Sequence, residues 1–413
     1  MSNALSQDER SDILSDIVAI KSVNDNEMEV ANYLKDLFEK HGIDAEIDEI
    51  SDTRANLVAT IGEGSPVVGI SGHMDVVSEG DVDDWDEDPF ELTEKDGYLY
   101  GRGTADMKAG LAALAIAMIE IKEQDLLEKG TIKFMATAGE EIEQVGSAQL
   151  RDHGYMDDVD ALIIGEPSET MLVYAHKGSM DIRVTSTGES SHSSMPLLGQ
   201  NAIQPLLEFI RNVEADYEDI SKSTTFEKLD FSNLVKVGKS MMAKEDVDID
   251  DDDFERIISG LVLSNTIVDG GSQVNSIPDK AVAEFNIRTV PEFNNDKVKE
   301  LFDKHMDAIN EKGGHLEKEV YLDLESVLTT GENDLMKVGY DVATDIFGDD
   351  IIVSPTVGVT DASNLLLDKD EDFPFLMLGP GATPHQVDEN VKKDTYFNFI
   401  DFYTQLLTNY LNK

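Results

Sequence analysis

Residues 67–77 form a short apolar run that ends in two polar side chains, His73 and Asp75. An apolar, β-branched run of this length is typical of a buried strand. Side chains two residues apart on a strand lie on the same face, so this imidazole and carboxylate would sit together at the strand end. The imidazole could bind a cation while the carboxylate holds its other ring nitrogen. Packing alone is therefore a poor explanation of this run.

Strand-like and helix-like segments alternate through the first 180 residues. Hydrophobic periodicity predicts amphipathic helices at 8–22 and 27–41 and a longer apolar helix at 107–124. Short β-branched segments predict strands at 55–61, 66–71, 131–137 and 161–164. This alternation predicts an α/β domain whose sheet carries helices on both faces.

The pattern changes near residue 179. Alternating strands are predicted at 180–186, 261–268 and 281–288, with a helix at 201–213, which indicates a small α+β domain with an antiparallel sheet. A helix at 295–312 and a strand at 374–379 then precede a C-terminal helix. We predict a catalytic domain of residues 1–178 and 294–413, interrupted by an inserted domain of residues 179–293.

The chain has 413 residues and no cysteine, which excludes disulfides and thiolate metal sites. Any metal must be held by histidine, aspartate and glutamate. There is no uninterrupted apolar stretch of membrane-spanning length, and the N-terminal residues show neither the basic nor the apolar region of a signal peptide. These features favour a cytoplasmic enzyme without a membrane partner.

The formal net charge is −52. Such a surface repels nucleic-acid phosphates and anionic membranes, so a nucleic-acid partner is not expected. Adaptation of the whole surface, to salt or to an acidic cytoplasm, explains the charge better than a specific partner does. The acidic run at 245–253 lacks the glycine of a calcium-binding EF-hand loop, so it is interpreted as a solvated loop or a helix start.

Further acidic residues end strand-like segments or open helices, namely Asp106, Glu140, Glu141 and Glu166. Each has an ordinary explanation alone: Asp106 as a helix N-cap, the glutamate pair as a solvated turn, and His385 as a surface histidine in a Gly/Pro-rich loop. Their joint occurrence in one α/β domain is improbable by chance. Two divalent ions need about three protein ligands each, often sharing a carboxylate, and open sheets place such sites at the carboxyl ends of strands.

Several segments resemble the motifs of the acetylornithine deacetylase, succinyl-diaminopimelate desuccinylase and carboxypeptidase G family of dinuclear metallohydrolases. The resembling segments, in family order, are residues 71–77, 101–110, 138–141, 165–168, 191–196, 273–278 and 384–389. The resemblance implies a zinc-peptidase-like catalytic domain with a mixed, mainly parallel sheet flanked by helices. It also implies an inserted α+β lid and dimerisation domain with an antiparallel sheet.

The resemblance also implies the roles of individual residues. One metal ion would be bound by His73, Asp106 and Glu166, and a second by Asp106, Glu141 and His385. These ions would be Zn²⁺, with Co²⁺ or Mn²⁺ as alternatives. Asp75 would orient His73, and Glu140 would be the general base.

In the inserted domain, His192 would stabilise the oxyanion, in its own site or that of a partner subunit. Its ordinary explanation is a loop histidine capped by serines. Asn275 and Arg288 would bind the substrate's carboxylate, with Lys177 and Thr360 as weaker candidates for the same role. Lys177 and Asp361 depart from the arginine and serine expected of a typical desuccinylase, which leaves the substrate open.

The resemblance implies a metal-dependent amidohydrolase that removes an acyl group from a small N-acyl amino acid and forms a homodimer through the lid domain. Succinyl-diaminopimelate desuccinylase, an enzyme of lysine biosynthesis, fits the motifs best. Acetylornithine deacetylase, aminoacylase and a dipeptidase or carboxypeptidase share the same catalytic residues. A non-catalytic, ligand-binding homologue is the alternative of another class, and it would be expected to lack a ligand or the base, whereas all six positions are filled.

Overall fold

A computed structural model describes residues 4–224, 227–245 and 250–413. Its helices are α1 (Gln7–Ala19), α2 (Glu27–Lys40), α3 (Lys108–Glu123), α4 (Val145–Asp152), α5 (Ile203–Ser223), α6 (Ser232–Glu245), α7 (Asp251–Ser259), α8 (Asn295–Asn310), α9 (Asp334–Phe347), α10 (Ala362–Leu365) and α11 (Lys393–Leu411). Its strands are β1 (Ala45–Glu49), β2 (Ala55–Glu63), β3 (Val67–His73), β4 (Thr93–Lys95), β5 (Tyr98–Tyr100), β6 (Gly130–Thr137), β7 (Ala161–Pro167), β8 (Met171–His176), β9 (Gly178–Thr187), β10 (Ser191–His192), β11 (Val262–Gly270), β12 (Ser276–Ile277), β13 (Lys280–Thr289), β14 (Leu316–Leu324), β15 (Ile352–Thr356), β16 (Phe375–Gly379) and β17 (Asn390–Lys392).

The chain divides into two compact units. The first contains residues 1–175, 329–354 and 360–413, and the second contains residues 176–328 and 355–359. An eight-stranded sheet in the order β1-β2-β6-β3-β7-β16-β8-β15 forms the centre of the first unit. Strands β6, β3, β7 and β16 run parallel to one another, whereas β1 and β2 are antiparallel to their neighbours. The predicted mixed, mainly parallel sheet with flanking helices is confirmed.

Helix α3 packs closely on this sheet because small residues meet at the contact. A Cβ atom added to Gly110 would lie 2.0 Å from the carbonyl oxygen of Gly165 on β7. Only glycine allows this approach, since any side chain would separate the helix from the strand. Almost every residue of α3 is buried, as its mostly apolar sequence predicts. The close packing brings Asp106, just before α3, towards Glu166, just after Gly165.

The second unit is a four-stranded antiparallel sheet in the order β11-β13-β9-β14, with α5 and α8 packed against it. Its core contains an aromatic group in which the ring of Phe285 lies 6.0 Å from that of Phe209 and 5.1 Å from that of Phe302. All three rings meet edge to face, an arrangement that adds stability beyond simple burial. The predicted α+β domain with an antiparallel sheet is confirmed.

The chain returns to the first unit at residue 329, later than the predicted boundary near 293. Helix α8 belongs to the second unit because Phe302 packs in that unit's aromatic core. Strand β14 also belongs there, since it pairs with β9 along its whole length. The helical periodicity of α8 was visible in the sequence, but periodicity does not tell which core a helix covers.

Two other sequence interpretations concern the second unit. Helix α5 continues to Ser223, ten residues beyond the predicted end at residue 213. Asp250 is the N-cap of α7, and its carboxylate accepts hydrogen bonds from the main-chain N–H groups of Asp252 and Asp253. This agrees with a helix start in the acidic run, although residues 246–249 lie outside the described part.

Within the described residues, the helices are too short or too polar to cross a bilayer.

Candidate metal centre

The predicted ligands lie at the carboxyl ends of the parallel strands of the first unit. His73 ends β3, Glu141 follows β6, Glu166 is near the end of β7 and His385 follows β16. Because neighbouring parallel strands end at the same edge of a sheet, these side chains come together there. Asp106 joins them from the loop before α3.

His73, Asp106 and Glu166 form a first cluster whose ligand atoms all lie within 4.8 Å of one another. The Nε2 atom of His73 is 3.0 Å from Oδ1 of Asp106 and 3.5 Å from Oε1 of Glu166. His73 is 1% exposed and Glu166 is 6% exposed. Three ligand groups of the types that bind zinc therefore converge in a buried position.

Asp106, Glu141 and His385 form a second cluster within the same distance limit. The Nε2 atom of His385 is 3.0 Å from Oε2 of Glu141 and 3.4 Å from Oδ2 of Asp106. One oxygen of Asp106 thus faces His73 while the other faces His385. This arrangement allows one carboxylate to bridge two cations.

The electrostatics of the two clusters favour added positive charge. Burial, together with the carboxylate of Asp106, raises the pKa of Glu166 well above its ordinary value. Burial also raises the pKa of Glu140 well above its ordinary value, against the opposing effect of His73. Hydrogen bonds to Asp106 and Glu141 raise the pKa of His385 to about 10. Because burial disfavours the charged form of these carboxylates, divalent cations bound beside them would stabilise it.

The donor set fits a pair of divalent cations. Each cluster offers one imidazole nitrogen and two carboxylate groups, with Asp106 shared. Nitrogen and oxygen donors of this kind suit zinc, cobalt and manganese alike. Asp75 and Glu140 belong to neither cluster among the described residues.

Asp75 contacts both His73 and the turn that carries Glu140 and Glu141. The Nδ1 atom of His73 makes its 2.9 Å hydrogen bond with the main-chain oxygen of Asp75, and the Asp75 carboxylate is 3.6 Å away. That carboxylate accepts three main-chain N–H groups, from Gly139, Glu140 and Glu141, at 2.9–3.1 Å. Asp75 therefore orients His73 through its main chain and fixes the turn of the two glutamates through its side chain.

The turn that carries Glu140 and Glu141 is also held by Asn56, which is fully buried. Its side chain accepts a hydrogen bond from the main-chain N–H of Ala138 and donates one to the main-chain oxygen of Gly146. Gly139 has a φ of 75°, a left-handed conformation that favours glycine. The turn is thus fixed at both ends and along its middle, and the two adjacent glutamates face different partners.

The loop of Asp106 is held by Glu389, a fully buried carboxylate. Its Oε1 atom accepts the main-chain N–H groups of Ala105 at 2.8 Å and Asp106 at 2.9 Å. Its Oε2 atom accepts a hydrogen bond from Arg102 at 2.5 Å. Glu389 follows His385 by four residues. The segment that carries the ligand His385 therefore also positions Asp106, the ligand that the two clusters share. His385 itself has a φ of 61°, a strained conformation of the kind found at functional sites.

Two predicted residues of the second unit lie together. The short strand β10 of His192 pairs with β12, and the N–H of Ser193 donates to the main-chain oxygen of Asn275. The Nδ1 atom of His192 is 2.7 Å from the hydroxyl of Ser194, as the serine-capped interpretation expects. This bond uses Nδ1, so Nε2 is the atom available for a ligand.

Lys177 is fully buried, and the structure gives it a partner other than substrate. Its ammonium donates to the main-chain oxygens of Ile257 at 2.8 Å and Gly260 at 2.6 Å, at the C-terminal end of α7. A cation at this end of a helix is favourable. Burial lowers the pKa of Lys177 to about 7. The lysine therefore anchors the C-terminal end of α7. Its predicted role in binding substrate stays a prediction.

Thr360 is buried and its hydroxyl accepts the N–H of Ala362 at the start of α10. This contact holds the segment that leads into α10, and the predicted role of Thr360 in binding substrate stays a prediction. Arg288 lies half-buried on β13 in the second unit. Its substrate-binding role stays a prediction.

Three residues that support the site were not predicted from the sequence, namely Asn56, Gln144 and Glu389. Glu389 lies within a recognised motif segment, so its position was visible but its contacts were not. Asn56 and Gln144 carry no such signal, because a buried amide is recognised only once its hydrogen-bond partners are known.

Comparison with known proteins agrees with this architecture. The family model described as peptidase family M20/M25/M40 matches residues 69–409. A protein of Staphylococcus epidermidis named "Probable succinyl-diaminopimelate desuccinylase" is 44% identical over 411 residues, covering 99% of both chains. Among solved structures, an M20 family metallo-carboxypeptidase of Sulfolobus solfataricus has a TM-score of 0.81 at 21% identity, covering 98% of this chain and 100% of that one. A dinuclear metal-binding M20 peptidase of Bacillus subtilis has a TM-score of 0.68 at 16% identity, covering 98% of both.

The chain belongs to the peptidase family M20/M25/M40. It is therefore a hydrolase of amide bonds, and the recognition made from the sequence motifs is confirmed.

Proposed function

We propose that this protein is a zinc-dependent succinyl-diaminopimelate desuccinylase that hydrolyses the succinyl amide of N-succinyl-L,L-diaminopimelate. The observation that carries the catalytic part is the shared position of Asp106, whose two oxygens belong to two three-ligand clusters. The substrate part is supported by the full-length relative at 44% identity that bears this name. The reaction consumes one water and yields succinate and a free amine.

In the proposed mechanism, bound divalent cations would supply polarisation of the amide carbonyl and a lowered pKa for the attacking water. His73, Asp106 and Glu166 would hold one cation, and Asp106, Glu141 and His385 would hold the other. Glu140 takes a proton from the water as its oxygen attacks the carbonyl carbon, and delivers that proton to the leaving nitrogen. Asp75 keeps Glu140 in place through the main chain of the turn.

A substrate panel tests the proposal. Metal-free protein would be reloaded with zinc, cobalt or manganese and assayed with N-succinyl-L,L-diaminopimelate, N-acetylornithine and simple dipeptides. We expect kcat/KM for the succinyl substrate to exceed the others by at least about 100-fold, because the additional carboxylate of its acyl group offers a charged contact that the others lack. A higher value for acetylornithine or a dipeptide would reassign the substrate. If no metal supported hydrolysis of any of these substrates, the assignment of the protein as a hydrolase would be contradicted.

We also propose that two copies of the chain form a dimer through the second unit. Among the residues that the structure describes, strand β11 lies at the end of its sheet and pairs with β13 alone. Its residues Ile267 and Val268 are 51% and 55% exposed. An exposed apolar edge strand is a ready template for another strand, and two identical strands can pair about a two-fold axis. Sedimentation of the protein entirely as a monomer would contradict this dimer.

In such a dimer, we propose that His192 donates from Nε2 to the oxyanion in the partner's site, while Asn275 and Arg288 bind substrate carboxylate. Replacing His192 by alanine should lower kcat by on the order of 10²-fold. Mixing His192→Ala with Glu140→Ala subunits should then restore roughly one quarter of wild-type activity, since each mixed dimer has one intact site. An unchanged rate for His192→Ala would contradict the role, and an inactive mixture would place the histidine in its own subunit's site.

A further inference from the structure

Glu140 has a side-chain partner that the proposed mechanism has not used. The Nε2 atom of Gln144 donates to Oε1 of Glu140 at 2.9 Å. Gln144 is 1% exposed and lies at the N-cap position of α4, with a φ of 52°. Its main-chain N–H donates to the oxygen of Gly139 at 2.6 Å, which closes the turn around the two glutamates. The amide therefore approaches the carboxylate from a fixed piece of backbone.

Asn364 determines which end of the Gln144 amide faces Glu140. The Nδ2 atom of Asn364 lies 3.4 Å from Oε1 of Gln144 and 3.3 Å from its main-chain oxygen. The same nitrogen lies 3.1 Å from the hydroxyl of Ser147. Turning the Gln144 amide over would place two donors together at Asn364 and two acceptors together at Glu140. The hydrogen-bond network thus requires the donor end to face the carboxylate.

We propose that Gln144 is a positioning residue for Glu140, resting on the proposed role of Glu140 as the general base. The terminal torsion of a glutamate is soft, so a free carboxylate would rotate through a broad range. A donor fixed at Oε1 restricts that rotation and leaves Oε2 to take and deliver the proton. Proton transfer needs heavy atoms within hydrogen-bond distance, so the loss of this restraint lowers the rate of the chemical step.

The test is Gln144→Met, which keeps the length and apolar stem of the side chain and removes the donor. Hydrogen bonds to charged groups are among the stronger ones, so kcat should fall about 10- to 100-fold. KM should stay within about twofold, and metal analysis should still find two ions per chain, because Gln144 is in neither ligand cluster of the described residues and its side chain bonds to Glu140. Gln144→Glu, which places an acceptor against the carboxylate, should lower kcat further than Gln144→Met.

Gln149→Met is the matched control, since it makes the same change on the same helix. Gln149 donates to the carboxylate of Asp48 at 2.9 Å, away from Glu140. Its kcat should remain within about twofold of wild type.

A double variant separates positioning from folding. In a Glu140→Ala background there is no carboxylate to hold, so adding Gln144→Met should leave the residual rate unchanged. A further fall in that background, or a loss of bound metal that parallels the fall in kcat, would show a merely structural role and overturn the proposal. A wild-type kcat for Gln144→Met would do the same. If Glu140→Ala itself remained active, the general-base assignment would fail instead.

Discussion

Replacement of Glu140 by alanine is expected to lower kcat by at least about 10³-fold while the protein keeps two bound metal ions. A positioned acid–base group contributes about 10²- to 10⁴-fold to a rate, and the proposed reaction uses Glu140 in two proton transfers. Glu140 lies outside both ligand clusters among the described residues, so its removal leaves six ligand contacts intact. Steady-state kinetics and metal analysis of the same preparation measure both parts.

Glu143→Ala is the matched control for this variant, because Glu143 is an exposed carboxylate in the same turn. Its kcat should be within about twofold of wild type. Loss of a metal ion from Glu140→Ala would show that Glu140 and Glu141 have exchanged roles. Full activity of Glu140→Ala with both ions present would remove the general base from the mechanism.

Replacement of Asp106 by alanine is expected to abolish binding of both metal ions and to lower kcat/KM by at least about 10⁴-fold. Each cluster would keep only two ligands, because Asp106 contributes one oxygen to each. The loop should keep its conformation, since Glu389 holds the main-chain N–H groups of Ala105 and residue 106, which alanine retains. Calorimetric titration of metal-free protein with zinc measures the two affinities.

Asp84→Ala, at an exposed aspartate in the same unit, is the control and should bind two ions as the wild type does. Glu166→Ala should weaken only the first ion, and Glu141→Ala only the second. If Asp106→Ala retained one ion at wild-type affinity, Asp106 would be a ligand of one cluster and not a bridge.

The sequence was sufficient to predict the residues of the ligand clusters, because most of these residues lie at or just after the ends of strands that the sequence also predicts. Each of His73, Glu166 and the glutamate pair follows or ends a strongly apolar segment, and parallel strands bring such ends to one edge. The periodicity of α3 likewise predicted its position closely. The motif resemblance added which residues would share a cation, a pairing that spacing along the chain does not contain.

Contacts between segments that are far apart along the chain could not be predicted from the sequence. The boundary of the second unit was misplaced because α8 and β14 show ordinary periodicity and only packing assigns them to a core. The contacts of Lys177 could not be predicted either, because the sequence around it gives no sign of the α7 carbonyl oxygens that accept its hydrogen bonds. The spacing of His73 and Asp75 suggested a carboxylate–imidazole pair, whereas the N–H groups of the glutamate turn compete successfully for that carboxylate.

The central claim is that two cations share Asp106, with Asp75 supporting the site from outside. Anomalous diffraction from crystals of the zinc-loaded protein tests it most directly. The account predicts two peaks, one bound by His73, Asp106 and Glu166 and one by Asp106, Glu141 and His385. A single peak, or a zinc ion bound to the carboxylate of Asp75, would contradict it.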